Sequence, residues 1–360
     1  MITNKKVYNF GAGPSALPDE VFEQAAAAVL DFNSSGLSIL EISHRSDLFM
    51  EVMEEAELLL RKLMNIPEEY EVLFLQGGGS QQFAMIPLNL LPYDKTAYFV
   101  DSGVWAKKAF EESERIGRSV IIASSAEKYY NYIPKQFAIA DDTAYLHITT
   151  NNTIYGTQWF DIPKVNCPLV ADASSDILCQ NINVINYGLI YAGAQKNLGP
   201  AGITIVIIKK ELLGSSKRVL PKIFDYNEHA KAKSLYNTPP VYAIYVMLLT
   251  LRWIEKKGGV TEIEKLNKQK AALLYNEIDK NPLFEGHAII EDRSLMNVVF
   301  QMTNPDLEKK FMEVANQLDV VGIKGHRSFG GFRVSLYNAI PLSHVEYLVS
   351  LMRDFSLEFV

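Results

Sequence analysis

A lysine among small residues is the strongest candidate for covalent chemistry in this sequence. Lys196 lies in YAGAQKNLGPAG, residues 191–202, where glycine and alanine leave room for a flat ligand. The apolar run 203–208 follows closely. A lysine amine becomes nucleophilic when desolvation or a nearby cation lowers its pKa, and it then forms Schiff bases with carbonyl compounds. We therefore predict that Lys196 bonds to a carbonyl group; the alternative is an ordinary exposed loop lysine.

An acidic residue ends an earlier apolar strand. Asp172 is the last residue of PLVAD, residues 168–172. Pyridoxal phosphate bonds to lysine through its aldehyde and needs an acidic partner for its ring nitrogen, because only the protonated ring is a strong electron sink. Asp172 is the candidate for this role. Alternatively, its carboxylate caps the turn at 173–175.

A glycine-rich turn offers a site for a phosphate group. LFLQGGGSQQF, residues 73–83, reads as a strand, three glycines, a serine and then a helix. Backbone N–H groups at such a turn bind phosphate, helped by the positive end of the helix dipole. Gly79 and Ser80 are the best placed; a plain turn is the alternative. The segment lacks both the GK[ST] of a nucleotide P-loop and the GxGxxG of a dinucleotide fold.

Two further strand ends and two cationic stretches complete the candidate set. Trp105, in YFVDSGVW, could stack on a cofactor ring, and Thr153, in HITTNNT, could donate to a ring oxygen; a core role and a capping role are the respective alternatives. Histidine and arginine occur together, and an arginine fork matches phosphate and carboxylate groups; otherwise they are solvated loop charges. The cationic residues are His44, Arg45, His326, Arg327 and Arg333.

The positions of these residues predict one sheet edge. Short β-rich runs recur between residues 70 and 208 with helices or loops between them. This alternation is typical of a mostly parallel α/β sheet, whose ligands lie at the carboxyl ends of the strands. The predicted strands are 71–75, 97–100, 144–149, 169–171, 189–192 and 203–208.

The second half of the chain predicts two long helices and a small unit. Thr238 followed by two prolines suggests an N-cap, with a helix that stops at Gly258. Thr261 and Glu264 have the capping-box spacing, which predicts a second helix to about residue 280. Strands near 296–302 and 332–336, with helices at 306–318 and the C-terminus, then form a small α+β unit. The predicted domains are 16–259 and 260–360, the latter with residues 1–15.

The composition limits the class of partner and location. The formal net charge is -7, which argues against a nucleic-acid or anionic-membrane binder. The two cysteines, Cys167 and Cys179, have neither metal-site nor disulfide-framework spacing. The N-terminus lacks a signal-peptide pattern, and no apolar run approaches the roughly 20 residues of a spanning helix. We expect a cytoplasmic protein without a metal site.

The sequence resembles the phosphoserine aminotransferases, which are fold-type I enzymes dependent on pyridoxal phosphate. The resemblance runs essentially end to end. It is carried by nine ordered stretches: NFGAGPSALP at 9–18, EISHRS at 41–46, GGGSQQF at 77–83, DSGVWAKKA at 101–109, NNTIYGT at 151–157, ADASSDI at 171–177, YAGAQKNLGPAG at 191–202, YNTPPVYAIY at 236–245 and GHRSFGGFRVSLYNA at 325–339.

The resemblance implies a large domain with a mostly parallel seven-stranded sheet and a homodimer with shared active sites. Lys196 would carry the cofactor and Asp172 would pair with its ring nitrogen. The other implied cofactor contacts are Gly79, Ser80, Trp105, Thr153 and Gln195, with Asn237 and Thr238 from the second subunit. Arg333 would bind the substrate α-carboxylate. The distal anion would meet His326 and Arg327 together with His44 and Arg45 of the second subunit. Ser80 replaces an arginine found in some members.

The implied reaction transfers an amino group from L-glutamate to 3-phosphohydroxypyruvate, giving 2-oxoglutarate and O-phospho-L-serine for serine biosynthesis. Some relatives also aminate a four-carbon analogue in pyridoxine biosynthesis, and that point stays open. A cysteine desulfurase would need a cysteine after Lys196, and both cysteines precede it. An alanine–glyoxylate aminotransferase has no need of paired cations for a second anion. A phosphate-binding module without covalent chemistry is the non-enzymatic alternative.

Overall fold

The computed structural model describes residues 7–359. Its strands, numbered in chain order, are β1 Tyr8–Asn9, β2 Tyr70–Leu75, β3 Thr96–Asp101, β4 Ser119–Ser124, β5 Thr143–Thr149, β6 Asn151–Asn152, β7 Thr157–Gln158, β8 Leu169–Asp172, β9 Leu189–Gly193, β10 Thr204–Lys209, β11 Phe284–Gly286, β12 Asn297–Met302, β13 Val320–Val321 and β14 Phe332–Ser335. Its helices are α1 Asp19–Leu30, α2 Asp47–Met64, α3 Gly78–Leu90, α4 Val104–Glu114, α5 Tyr226–Lys231, α6 Val241–Lys256, α7 Val260–Lys280, α8 Glu308–Gln317 and α9 Leu342–Phe359.

Seven strands form the main sheet, in the order β2-β10-β9-β8-β5-β3-β4. Strand β10 is antiparallel to both of its neighbours, and the other adjacent pairs are parallel. Central strands of such a sheet are buried on both faces and therefore read as continuous apolar runs, as TIVIIK does in β10. The prediction of a mostly parallel seven-stranded sheet is confirmed. Strands β2, β3, β5, β8 and β9 all point their carboxyl ends to one edge.

Helices cover both faces of this sheet. Helices α1, α2 and α6 pack on one face, where the largest buried apolar cluster lies. In α2, apolar residues recur every three or four positions, which places one continuous stripe against α6. That helix ends at Asn65, whose left-handed backbone stops it. Helices α3 and α4 cover the other face with a second cluster.

The C-terminal part has its own core. Strands β11, β12 and β14 form a three-stranded antiparallel sheet. Phe300, Phe311 and Phe332 pack edge to face or stacked within its buried cluster. Strand β1 pairs with β13 and so joins the chain start to this unit. The division into residues 16–259 and 260–360 with 1–15 stays a prediction, and its residues 1–6 and 360 lie outside the described part.

Three local predictions were wrong. The sequence reading omitted β4, whose residues are all only half-buried and whose pattern is correspondingly weak. Helix α6 begins at Val241, after both prolines, so Thr238 does not cap it. Thr261 and Glu264 do not form a capping box: Thr261 lies inside the first turn of α7, and both side chains accept hydrogen bonds from Asn181.

A helix that spans a bilayer needs about 20 predominantly apolar residues. Among residues 7–359, no helix is both long and apolar enough to cross a membrane.

Candidate active site

The predicted residues of the large sheet meet at its carboxyl edge. Asp172 ends β8, and Lys196 follows β9 within a tight turn. Gly79 lies in the first turn of α3, directly after β2. Trp105 lies in the first turn of α4, after β3, and Thr153 follows β5 and β6. Parallel topology therefore brings five separate segments to one place.

The Lys196 side chain lies over Trp105. Its Nζ is 5.7 Å from the centre of the indole ring. Part of the side chain is reachable by solvent, yet the surrounding protein removes most of the water from the amine and lowers its pKa. The positive charge of Arg333 acts in the same direction, whereas Asp172 and Asp176 oppose it. A lowered pKa increases the neutral fraction, which is the nucleophilic form.

The turn that carries Lys196 is held by the N-terminal segment. Leu198 and Gly199 donate backbone hydrogen bonds to the Ala194 carbonyl, which closes the turn. The Ser15 backbone N–H donates to the Gln195 carbonyl at 2.9 Å, and the Ser15 hydroxyl donates to the Lys196 carbonyl. A Cβ at Gly193 would lie 2.6 Å from Gln195 Oε1, so a larger residue there would displace the Gln195 side chain. This packing fixes the direction in which Lys196 leaves the sheet.

The Asp172 carboxylate is buried and oriented. Its Oδ1 accepts hydrogen bonds from the Ser174 N–H at 3.0 Å and the Ser174 hydroxyl at 2.6 Å. The Ser174 hydroxyl in turn accepts from the Gly193 N–H at 3.1 Å, which ties Asp172 to the lysine-bearing strand. The turn-capping alternative is therefore also real: Asp172 caps its own turn through one oxygen.

The glycine-rich turn begins α3 as predicted. Gly77 and Gly78 both have positive φ, 87° and 64°, which turns the backbone sharply from β2 into the helix. A Cβ on Gly78 would have no heavy atom within 4 Å, so the N-terminus of α3 opens onto free space. Ser80 is exposed. Free N–H groups at a helix start suit a phosphate group.

Trp105, Thr153 and Arg333 form one connected group. Trp105 Nε1 donates to Thr153 Oγ1 at 3.1 Å, and Arg333 Nη1 donates to the Thr153 carbonyl at 3.2 Å. Arg333 reaches this point from β14 of the small unit. Its Nε is buried and has no hydrogen-bond partner among the described residues. A buried donor without an acceptor is costly, so this atom is suited to an anionic ligand.

A histidine and two further cations, Arg327 and Lys108, lie beyond this group. His326 is half-buried in the loop before β14, and Arg327 beside it is exposed. The pKa of His326 is lowered by burial and then by the charges of Arg333, Arg327 and Lys108. Lys108, one turn along α4 from Trp105, has its Nζ 4.9 Å from the indole centre. The loop and α4 thus present a concentrated positive field next to the lysine.

The remaining predicted residues are not joined to this group within one chain. His44 is half-buried and Arg45 exposed just before α2. Asn237 is half-buried and Thr238 exposed before α6, and both are hydrogen-bonded to Gln76. Gln76 lies next to the glycine turn.

Sequence reasoning missed two buried residues next to Asp172. Tyr191 on β9 and His147 on β5 are fully buried, and His147 Nε2 lies 2.9 Å from the Tyr191 hydroxyl. Burial lowers the pKa of His147 to about 4 and raises that of Tyr191. The available signal was polar ring residues inside two otherwise apolar central strands, YLHIT and LIYAG.

These residues fit pyridoxal phosphate. The flat indole of Trp105, the oriented Asp172 and the low-pKa amine of Lys196 surround space next to the open N-terminus of α3. Trp105 matches a flat ring, Asp172 a ring nitrogen, Lys196 an aldehyde and the N-terminus of α3 a phosphate. The unpartnered Arg333 Nε adds a place for a substrate carboxylate.

Comparison with known proteins gives the same answer. The family model for class-V aminotransferases matches residues 7–348. Phosphoserine aminotransferase of Flavobacterium johnsoniae is 51% identical over 349 residues, 97% of this chain and 98% of its own. A solved phosphoserine aminotransferase that records radiation damage of its Schiff base has a TM-score of 0.96 and 46% identity, covering 98% of this chain and 99% of its own.

A pyridoxal-phosphate-bound phosphoserine aminotransferase from Trichomonas vaginalis has a TM-score of 0.92 and 38% identity, and covers 97% of this chain and all of its own. The likeness extends along both chains, well beyond the cofactor-binding motifs. It confirms the predicted fold class and the cofactor. The chain belongs to the class-V aminotransferases and, within them, to the phosphoserine aminotransferase family.

Proposed function

We propose that this protein is a pyridoxal-phosphate-dependent aminotransferase that converts 3-phosphohydroxypyruvate and L-glutamate into O-phospho-L-serine and 2-oxoglutarate, a reversible step of serine biosynthesis. One observation carries the choice of substrates. Arg333 has an unpartnered buried Nε beside Thr153, while Arg327 places a separate cation, with the His326 imidazole beside it, further out. Both amino acids have an α-carboxylate and a second, distal anion, so the two cationic positions match both of them.

Lys196 is the proposed acid–base residue. The bound cofactor supplies an electron sink that stabilises negative charge at the substrate Cα. Lys196 would hold the cofactor, and its amine, once freed, would take the proton from the substrate Cα. Burial, which lowers the pKa of this amine, makes the neutral base more abundant near neutral pH.

The other residues bind and orient. Asp172 holds the proton on the ring nitrogen, and Trp105 stacks on the ring. Thr153 has its oxygen occupied by the Trp105 N–H and can donate its own proton to a ring oxygen. Gly79, Ser80 and Gln195 line the phosphate position. Arg333 binds the α-carboxylate with its free Nε.

The active site is proposed to be completed by a second copy of the chain. Asn237 and Thr238 would reach the cofactor phosphate, and His44 and Arg45 the distal anion. Exposed Leu37 and Leu40, at 46% and 62%, lie in the segment before His44 and would be covered by the partner. A cytoplasmic location is proposed with it, and the unpaired Cys167 and Cys179 suit a reducing compartment.

Mixed dimers test the shared site. Lys196→Ala and Arg45→Ala subunits are each expected to be inactive as homodimers. When they are unfolded and refolded together, hybrid dimers regain one intact site and a fraction of the activity. A mixture of Lys196→Ala and Arg333→Ala subunits is the control. If Arg333 acts within its own chain, each site of a hybrid dimer lacks one of the two residues, and the mixture regains no activity.

Steady-state kinetics test the reaction. Transfer of an amino group through the enzyme predicts ping-pong behaviour, with parallel lines in double-reciprocal plots of glutamate against 3-phosphohydroxypyruvate. Intersecting lines, or no phosphoserine formed, would contradict the proposal. The four-carbon phosphorylated keto acid is measured in the same assay, which decides the possible role in pyridoxine biosynthesis.

A further inference from the structure

Three buried polar side chains lie side by side on neighbouring strands of the main sheet. Strand β8 lies between β5 and β9. Asp172 is the register partner of Tyr191, and His147 is the partner of Val170, two residues before Asp172. Paired residues and residues two apart in a strand share a face, so His147, Asp172 and Tyr191 all project from the face that α3 and α4 cover.

The Tyr191 hydroxyl is bonded to His147 and Tyr191 is the strand neighbour of Asp172. The hydroxyl lies 2.9 Å from His147 Nε2. Tyr191 pairs with Asp172 across the strands, and burial together with the negative charge of Asp172 raises the Tyr191 pKa. The three side chains are 1%, 0% and 7% exposed for His147, Tyr191 and Asp172. Water therefore does not compete for these bonds, and the low dielectric strengthens them.

The direction of the bonds follows from the charges. Burial lowers the pKa of His147 to about 4, so its ring is neutral near pH 7. The neutral ring carries one N–H proton, either on Nδ1 or on Nε2. His147 Nδ1 has no partner among the described residues. If Nδ1 held the proton, Nε2 would accept the Tyr191 proton, and the Asp172 carboxylate would then face a hydroxyl lone pair. A proton on Nε2 instead lets His147 donate to Tyr191 and Tyr191 donate to Asp172.

We propose that Tyr191 and His147 are positioning residues for the reaction, acting through Asp172 in the order His147 Nε2–H to Tyr191 O–H to the Asp172 carboxylate. Ser174 already holds Oδ1 from the turn. The tyrosine would add a donor from the sheet, which would fix the plane of the carboxylate. The fixed carboxylate would then pair with the cofactor ring nitrogen in one orientation. This inference rests on the proposed role of Asp172.

The first test compares two tyrosine variants. Tyr191→Phe removes only the hydroxyl, and we expect the rate constant of the half-reaction with L-glutamate to fall roughly tenfold, with the glutamate KM changed less than about twofold. Tyr145→Phe is the matched control: Tyr145 is fully buried on β5 and its hydroxyl contacts Ser113 instead. Equal half-reaction rates in both variants would overturn the proposal.

Two histidine variants test the second link. His147→Leu removes the donor, whereas His147→Gln offers an amide N–H near the position of Nε2. We expect the glutamine variant to recover most of the half-reaction rate that the leucine variant loses. A glutamine variant as slow as the leucine variant, with both folded by circular dichroism, would show that His147 only fills space.

A third measurement needs neither substrate nor turnover. In full-length protein labelled with ¹⁵N-histidine, the His147 signal is identified by its loss in His147→Gln. We expect its Nε2 to be protonated and its Nδ1 bare, and Tyr191→Phe to shift that signal more than any other histidine signal. A proton on Nδ1 would overturn the inference even if the aminotransferase reaction is correct. Failure of wild-type protein to react with glutamate would instead contradict the proposed function. The NMR result would still test the hydrogen-bond order from His147 to Tyr191.

Discussion

The indole nitrogen of Trp105 donates a hydrogen bond to the Thr153 hydroxyl over 3.1 Å. The sequence suggested separate tasks for these residues, stacking for one and hydrogen bonding for the other. The bond couples the two tasks, because it orients the indole plane and occupies a lone pair of the threonine oxygen. The threonine proton then points to another acceptor, which we assign to the cofactor ring oxygen.

Thr153→Val tests this coupling. Valine keeps the shape but leaves the Trp105 N–H without its acceptor and removes the donor to the ring oxygen. We expect the cofactor dissociation constant to rise roughly tenfold, measured by fluorescence titration of cofactor-free protein. Thr250→Val is the control, since Thr250 is equally buried but bonds the Val246 carbonyl within α6. Equal affinities in the two variants would show that the Thr153 hydroxyl makes no contact with the cofactor.

Asp172→Asn tests the ring-nitrogen partner. The amide keeps the size of the side chain but cannot hold a proton on the nitrogen by charge, so the electron sink weakens. We expect turnover to fall by two orders of magnitude or more, with the fold retained. Asp161→Asn, which changes an exposed aspartate in the loop between β7 and β8, is the control and should keep normal turnover. Wild-type turnover in folded Asp172→Asn would remove the residue from this role.

Arg333→Lys tests carboxylate binding. Lysine keeps the positive charge but loses the planar fork that can bond both carboxylate oxygens. We expect KM for both amino acids to rise by at least about tenfold, while the cofactor spectrum stays normal. Arg252→Lys removes an equivalent fork from a surface ion pair with Glu55 and should leave KM unchanged. An unchanged KM in Arg333→Lys would place the α-carboxylate elsewhere.

Lys270 predicts a pH dependence of stability. This fully buried lysine donates to the Leu336 and Tyr337 carbonyls, and burial lowers its pKa to about 7. An unfolded lysine titrates near its ordinary pKa of about 10.4. Between those values the unfolded chain binds a proton that the folded chain does not. The free energy of unfolding therefore rises with pH there, by up to about 1.4 kcal/mol per pH unit, and falls again toward pH 7.

Lys270→Met should remove this pH-dependent contribution to the free energy of unfolding. Urea unfolding of wild type and variant between pH 7.5 and 9.5 is expected to give a stability difference that grows with pH. Because all other groups titrate equally in both proteins, the difference isolates Lys270. A difference that is constant across this range would mean that Lys270 keeps its proton in the folded state.

The sequence predicted the main sheet and its site edge because both depend on local patterns. Apolar runs that end in Asp172, or in glycine and lysine at 193–196, mark central strands and their carboxyl ends. Strand β4 was missed because its half-buried residues carry no strong apolar signal. The spacing of Thr261 and Glu264 alone predicted a capping box. In the structure, both side chains instead accept hydrogen bonds from Asn181, which is distant in sequence.

The contacts between distant segments could not be read from the sequence. The pairing of His147 with Tyr191 depends on the order of β5, β8 and β9, which local patterns do not specify. The same holds for Arg333, which reaches Thr153 from the other unit of the chain. Family resemblance supplied the identity of the candidate residues, whereas the physical links between them became visible only in three dimensions.

Borohydride reduction followed by peptide mapping tests the central claim most directly. Full-length protein purified with pyridoxal phosphate is reduced and digested, and the peptides are sequenced by mass spectrometry. The account predicts one pyridoxyl group per chain, on Lys196, and none on the exposed Lys107 or Lys108 nearby. A chain that stays unmodified, or carries the group on another lysine while Lys196→Ala keeps turning over substrate, would contradict it.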